Sequence, residues 1–179
     1  MHSQVVNILT TGKKKLYNQI VNMSLGKSCS FFGHSEIEIT EKLKLDLRNF
    51  IENLIVKENY SVFYFGGFGM FDNLCHEIVS GLKQKFSHIK RIFCLSDPRH
   101  QSILKRPSWL KEEDFEEFIY LELSFDYWYT RIYYRNCEMI KLSDFIIFYV
   151  NNTNNSGAYK ALQFAKKMKK NIYNLALKN

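Results

Sequence analysis

The sequence predicts an α/β domain built on an open, mainly parallel sheet with helices on both faces. Three observations carry this. Short apolar runs alternate with amphipathic stretches along nearly the whole chain, and parallel strands need helical crossovers. The amphipathic stretches space their apolar residues at i, i+3/i+4, whereas the strand runs are apolar throughout, as buried strands are. The length, 179 residues, is that of one domain.

Taken in order, residues 1–26 read as a polar, basic N-terminal extension in which "LYNQIVNM" forms a short helix, and the domain proper spans 27–179. "KSCSFFGH" is short, apolar and ends on Gly33, a buried strand. "ITEKLKLDLRNFIENLIVKEN" places Leu43, Leu47, Phe50, Ile51, Leu54 and Ile55 on one helical stripe, with Thr40 as its N-cap. "SVFYF" is a second strand, followed by the glycine corner "GGFG" and a helix from Met70 to about Lys85. "IKRIFCL" is a third strand. The stretch "SDPRHQSILKRPSWLKEEDFEEF" holds both prolines and reads as a long excursion with a helical turn at "KEEDFEEF". "IYLEL" is a short strand, "YWYTRIYYRNCEMIKLS" a helix, and Asp144 opens the strand "FIIFYV". "NNTNNSG" is a loop by composition. "AYKALQFAKKMKK" closes as an amphipathic helix and "NIYNLAL" as a last strand.

Charge and cysteine content narrow the partners. The net charge of +7 gathers at the ends: Lys13, Lys14, Lys15 and Lys27 precede the first acid, Glu36, and six lysines follow the last, Asp144. A basic tail and one lysine-rich helix face are ordinary solvated surfaces. With no RNP-type, zinc-finger or helix-turn-helix pattern, this argues against nucleic acid as the partner. No apolar run is long enough to span a bilayer, so no membrane partner is expected. The first residues lack the order of a secretory signal. The four widely spaced cysteines, Cys29, Cys75, Cys94 and Cys137, then read as free thiols in the cytoplasm. Cys29 and His34 point to opposite faces of a strand, so neither a metal site nor a cofactor is expected. Exposed aromatics among Tyr127, Trp128, Tyr129, Tyr133 and Tyr134 would fit a homo-oligomer; burial in the core is the other reading.

Ligands of open parallel sheets bind beyond the carboxyl ends of the strands. Three stretches fall there: Gly33 with His34, the corner Gly66, Gly67 and Gly69, and Ser156 with Gly157. Glycines at a helix start let the backbone approach an anion, which meets free amides and the positive end of the helix dipole. The corner is neither GxGxxG nor a Walker loop, and a plain tight turn is the alternative. Asp72 either caps the helix or meets a ribose hydroxyl. Arg135 either forks onto a phosphate or is ion-paired.

The same residues resemble a bacterial branch of the SMF/DprA–LOG (SLOG) superfamily. That branch opens on Cys-x-x-x-Gly-His, matched by Cys29, Gly33 and His34. It continues with GG-x-x-x-x-D, matched by Gly66, Gly67 and Asp72, and with RN-x-x-M, matched by Arg135, Asn136 and Met139. Ser143 and Asp144, the turn at Ser156 and Gly157, and Asn174 with Leu175 complete the set. The resemblance runs from about Lys27 to Leu175. It implies a Rossmann-like domain that binds or senses a nucleotide or a nucleotide-derived, ADP-ribose-like ligand. The ligand contacts it implies are Gly33, His34, Gly66, Gly67, Gly69, Asp72, Arg135, Asn136, Ser156 and Gly157.

One departure bears on chemistry. Lonely-guy-type phosphoribohydrolases of this superfamily carry PGG-x-GT-x-x-E, and here "NNSGAYKAL" puts Ala161 at the glutamate. The hydrolase motif is not intact, so binding leads. Cleavage or transfer at an N-glycosidic bond is the alternative, and single-stranded nucleic-acid binding, known elsewhere in the superfamily, a weaker one.

Overall fold

A computed structural model describes residues 6–7, 26–95, 111–120, 128–151 and 155–177. Its strands are β1 (Val6–Asn7), β2 (Lys27–Gly33), β3 (Tyr60–Phe65), β4 (Lys90–Leu95), β5 (Glu117–Tyr120), β6 (Phe145–Tyr149) and β7 (Asn171–Asn174). Its helices are α1 (Glu41–Glu58), α2 (Gly69–Lys83), α3 (Trp128–Leu142) and α4 (Gly157–Lys167). The sheet runs β1-β5-β4-β3-β2-β6-β7, and every pairing is parallel.

Helix α1 forms for local reasons. The Thr40 hydroxyl accepts the Leu43 N–H at 3.1 Å, satisfying one orphan amide. The stripe of Leu43, Leu47, Ile51, Leu54 and Ile55 is buried, each side chain contributing roughly 1.5–3 kcal/mol. Asn59 ends the helix in the left-handed region at φ 59°, its N–H returning to the Leu54 carbonyl.

Strand alternation divides the core into two layers. Phe31, Phe63, Phe65 and Phe93 face α1 and α2. Phe32, Val62, Tyr64 and Ile92 face the other way, against Met139 and Ile140 of α3 and Ala161, Leu162 and Ala165 of α4. Phe31 stacks on Phe65 with ring centres 5.3 Å apart.

Three elements differ from expectation. β7 stops at Asn174, and Leu175–Leu177 form a 3-10 turn rather than continuing the strand. The fifth strand starts at Glu117 rather than at Ile119, because the Arg91 backbone pulls this segment into register. The Glu116 N–H donates to the Arg91 carbonyl, and the Glu116 carboxylate accepts the Arg91 N–H at 2.6 Å. From the basic extension, Val6 and Asn7 pair with Ile119 and Tyr120 at the sheet edge. The short helix expected at "LYNQIVNM" and Pro98 and Pro107 lie outside the described residues. No helix among the described residues is long and apolar enough to cross a membrane.

β2 is the pivot. The chain leaves it toward β3 on one side, and returns more than a hundred residues later as β6 on the other. Strand order therefore reverses between β2 and β6, and a crevice opens beyond their carboxyl ends.

Candidate functional site

A cavity of about 230 Å³ occupies that crevice. Gly33, His34 and Ser35 contribute the end of β2, and Gly66, Phe68, Gly69 and Asp72 the corner between β3 and α2. Arg135, Asn136 and Met139 come from α3, and Ser156, Gly157 and Ala158 from the start of α4. Nine of the ten residues named from the sequence line it; Gly67 does not.

The glycine corner is held from both sides. The Gly67 N–H donates to Asp72 Oδ2 at 2.7 Å and the Gly66 N–H to Oδ1 at 3.4 Å. Arg135 Nη1 donates to the Gly66 carbonyl at 2.7 Å. That carbonyl and the Gly67 N–H belong to one peptide unit, gripped between a buried carboxylate and a buried guanidinium. Gly67 at φ 73° and Gly69 at φ 86° lie where side chains are strained. A Cβ on Gly69 would also stand 2.8 Å from Ser35 Cα. Two backbones cross there, joined by the Met70 N–H on the Ser35 carbonyl at 2.9 Å.

Both charged groups are thus engaged within the protein. Burial pushes the Asp72 carboxyl up to about 6, against the hydrogen bonds from the corner and the charge of Arg135. Arg135 is 3% exposed. Its Nε and Nη2 donate to Asn136 Oδ1 at 3.3 and 2.9 Å. Burial lowers its pKa, yet guanidinium stays charged. Three of its five N–H groups are spent on described residues. The sequence posed cap or ribose contact for Asp72, and phosphate or ion pair for Arg135. The geometry adds a shared task, fixing the corner.

The other motif residues have local explanations too. Ser143 Oγ donates to the Met139 carbonyl at 2.8 Å, ending α3, and Asp144 Oδ2 accepts the Ser28 N–H at 2.8 Å, pinning the foot of β2. Asn174 trades two hydrogen bonds with the Val150 backbone, at 3.0 and 2.9 Å. This fixes the chain leaving β6, where the Asn151 N–H reaches His34 Nε2 at 3.4 Å.

The rest of the lining is dipolar. Two helices start at the cavity, α2 at Phe68 and α4 at Ser156. Ser156 caps its helix by accepting the Tyr159 N–H at 3.1 Å. A Cβ on Gly157 would meet nothing within 4 Å among the described residues. Among the described lining residues Asp72 is the only carboxylate. Ala161 is 2% exposed and packs in the core.

Sequence reasoning missed Phe68. Its ring is 58% exposed at the cavity rim, with the Arg135 guanidinium 5.2 Å from its centre. A sequence pattern cannot separate it from the fourteen other phenylalanines and eleven tyrosines of the chain, because exposure is decided only by the folded surface. Of the helical aromatics, Tyr133 and Tyr134 are about a third exposed and contact each other edge-to-face. All four cysteines are buried and free. No group of three or more His, Cys, Asp or Glu that could hold a metal is found among the described residues.

No family model matches the chain, and no curated protein matches it in sequence. Among solved structures it is similar to DNA processing protein A from Helicobacter pylori, reported for its single-stranded DNA binding mode. The two share 17% identity over 82% of this chain and 63% of that one, with a TM-score of 0.52. This chain thus spans less than two thirds of that protein, and at such identity the likeness is one of fold. Two further structures align with TM-scores of 0.47 each: the structural-genomics target TM1055, at 11% identity over 82% of this chain and 72% of that one, and the Moco carrier protein of Chlamydomonas reinhardtii, at 16% over 84% and 76%.

Proposed function

We propose that this chain is a SLOG-type domain that binds a phosphorylated, nucleotide-derived ligand such as an ADP-ribose-like molecule, and acts as a binding or sensing module. One observation carries the reading: two helix N-termini and a buried arginine converge on one cavity at the point where strand order reverses. Aligned amides and a guanidinium favour an anion, and the apolar wall of Phe68, Ile132 and Met139 suits a flat, less polar group. Gly66 and Gly69 with the α2 amides, and Ser156 and Gly157 with those of α4, make two anion-binding turns. Arg135 offers its remaining N–H groups to phosphate, held in place by Asn136. Gly33 and His34 face ribose or base, and Gly67 and Asp72 support the corner.

Cleavage of an N-glycosidic bond has one feature in its favour, a carboxyl tuned to about 6, near the range where acid–base groups work. Both oxygens of that carboxyl turn to the corner amides, which favours binding over turnover. Single-stranded nucleic acid is the second reading. The fold likeness to a DNA processing protein keeps it open.

The test is thermal denaturation with AMP, ADP, NAD, ADP-ribose and cyclic ADP-ribose, followed by calorimetry. A true ligand at about a hundred times its Kd adds about 2.7 kcal/mol of stability. Unchanged melting with every phosphorylated compound would overturn the proposal. Oligonucleotide binding that weakens steeply with salt would favour the second reading.

A further inference from the structure

The position before α2 is an N-cap, where Ser, Thr, Asp or Asn normally supplies an oxygen to an orphan amide. Here it is Phe68, in extended backbone at φ −130° and ψ 124°, with no side-chain cap. The ring stabilises nothing in the helix start. It is also among the most exposed large apolar side chains described, at 58%, though most phenylalanines of this chain are buried. An apolar ring left in water at a cavity rim needs a reason.

Its surroundings supply one. Flanking glycines at positive φ lift the ring out of the corner. Its backbone is fixed on both sides, by the Gly67 N–H on Asp72 Oδ2 and the Met70 N–H on the Ser35 carbonyl. Arg135 stands 5.2 Å from the ring centre and is itself locked by Gly66 and Asn136. The ring is therefore a preorganised plate backed by a cation, with the anion-binding turns beside it. A plate so placed fits a second planar π system, and a phosphate in the cavity leaves such a group at the rim.

We infer that Phe68 is the stacking platform for a heterocyclic base, so that the ligand class is a base bearing a phosphate rather than a sugar phosphate alone. This rests on the phosphate reading above. The same chemistry is offered by a free nucleotide and by a single strand, and the experiment separates them.

Calorimetry is done on wild type, Phe68→Ala, Phe68→Leu and Phe68→Trp with AMP, ADP-ribose, ribose 5-phosphate and an oligothymidylate. Far-UV circular dichroism and melting confirm each fold. Phe68→Ala and Phe68→Leu are expected to weaken AMP and ADP-ribose about tenfold or more, the scale of one lost base–aromatic stack. Phe68→Trp retains the affinity, and ribose 5-phosphate changes less than about twofold in every variant. An equal loss for ribose 5-phosphate would mean that the ring only shapes the corner. Unchanged AMP binding in Phe68→Ala would equally overturn the platform; in both cases the phosphate site stands. If no phosphorylated compound binds wild type, both the platform and the site reading fall. If the oligothymidylate alone binds, and through Phe68, stacking stands and the small-ligand reading falls.

Discussion

Replacing Asp72 by Asn removes a buried titrating group from beneath the glycine corner and makes stability less dependent on pH. The Asp72 carboxyl moves from 3.8 to about 6 on folding, because burial outweighs the amides of Gly67 and Gly66 and the charge of Arg135. At about 1.4 kcal/mol per pKa unit, this corresponds to roughly 3 kcal/mol. The native state binds this proton more tightly than the unfolded chain. Between about pH 4 and pH 6 it therefore holds more protons, and the contribution of Asp72 to stability falls as pH rises. Above that window both states are ionised and the full cost is present; below it the cost is absent. Glu52, lowered by its hydrogen bond to Lys85, and Glu116, lowered by Arg91 although burial opposes this, act with opposite sign. Both are present in both proteins and cancel in the comparison. Urea titrations of wild type and Asp72→Asn from about pH 4 to pH 8 measure the difference. Wild type is expected to lose roughly 3 kcal/mol relative to the variant across the window. A flat difference, or one favouring wild type as pH rises, would show that the amides and Arg135 outweigh desolvation, and would refute the reasoning.

Four further outcomes are expected. Gly157→Leu should melt within a few degrees of wild type, since its Cβ meets no described residue within 4 Å, and should lose binding of every phosphorylated compound; retained affinity in calorimetry would remove α4 from the site. Arg135→Lys should lower stability by about 2–3 kcal/mol in chemical denaturation, because lysine cannot keep the hydrogen bonds to both Gly66 and Asn136, and should bind AMP more weakly than adenosine by comparison with wild type. Ser30→Ala should be neutral or stabilising by up to about 1 kcal/mol, since the buried Ser30 Oγ has no hydrogen-bond partner among the described residues. Chromatography of purified protein with AMP or CMP should show no multiple turnovers to free base; turnovers that vanish in Arg135→Ala would promote the hydrolase reading.

Much of this was legible because it is local. The Thr40 cap and the stripe of α1 lie within a few turns of one another, so spacing revealed them. Gly66, Gly69 and Gly157 announced themselves because a glycine beside a helix start has few purposes. The cavity followed from topology: once strands and helices alternate, strand ends far apart in sequence must share an edge. The partners of Arg135 and Asp72 differ in kind. The bond from Arg135 to Gly66 joins positions 69 apart, and no periodicity encodes it. The start of β5 at Glu117 depends on pairing with Arg91, again a distant residue. Phe68 stayed hidden because exposure is a property of the folded surface. Gly67, named as a ligand contact, gives its N–H to Asp72, a bond between the turn and the helix after it that no periodicity encodes.

The pivot position of β2 also governs when the site comes into being. The corner forms from β2, β3 and α2, near neighbours along the chain. The contacts that bring β6 and α4 beside them span far more: Ser28 to Asp144 is 116 residues, and His34 to Asn151 is 117. Closing loops of that size costs chain entropy before any contact offsets it, so these contacts are expected late in folding. A chain still emerging from the ribosome therefore carries half a cavity until residues of α4 have followed. Interactions that arise after the rate-limiting step change how fast a protein unfolds, not how fast it folds. A molecule bound in this crevice would lengthen the lifetime of the native state and leave the refolding rate as it was.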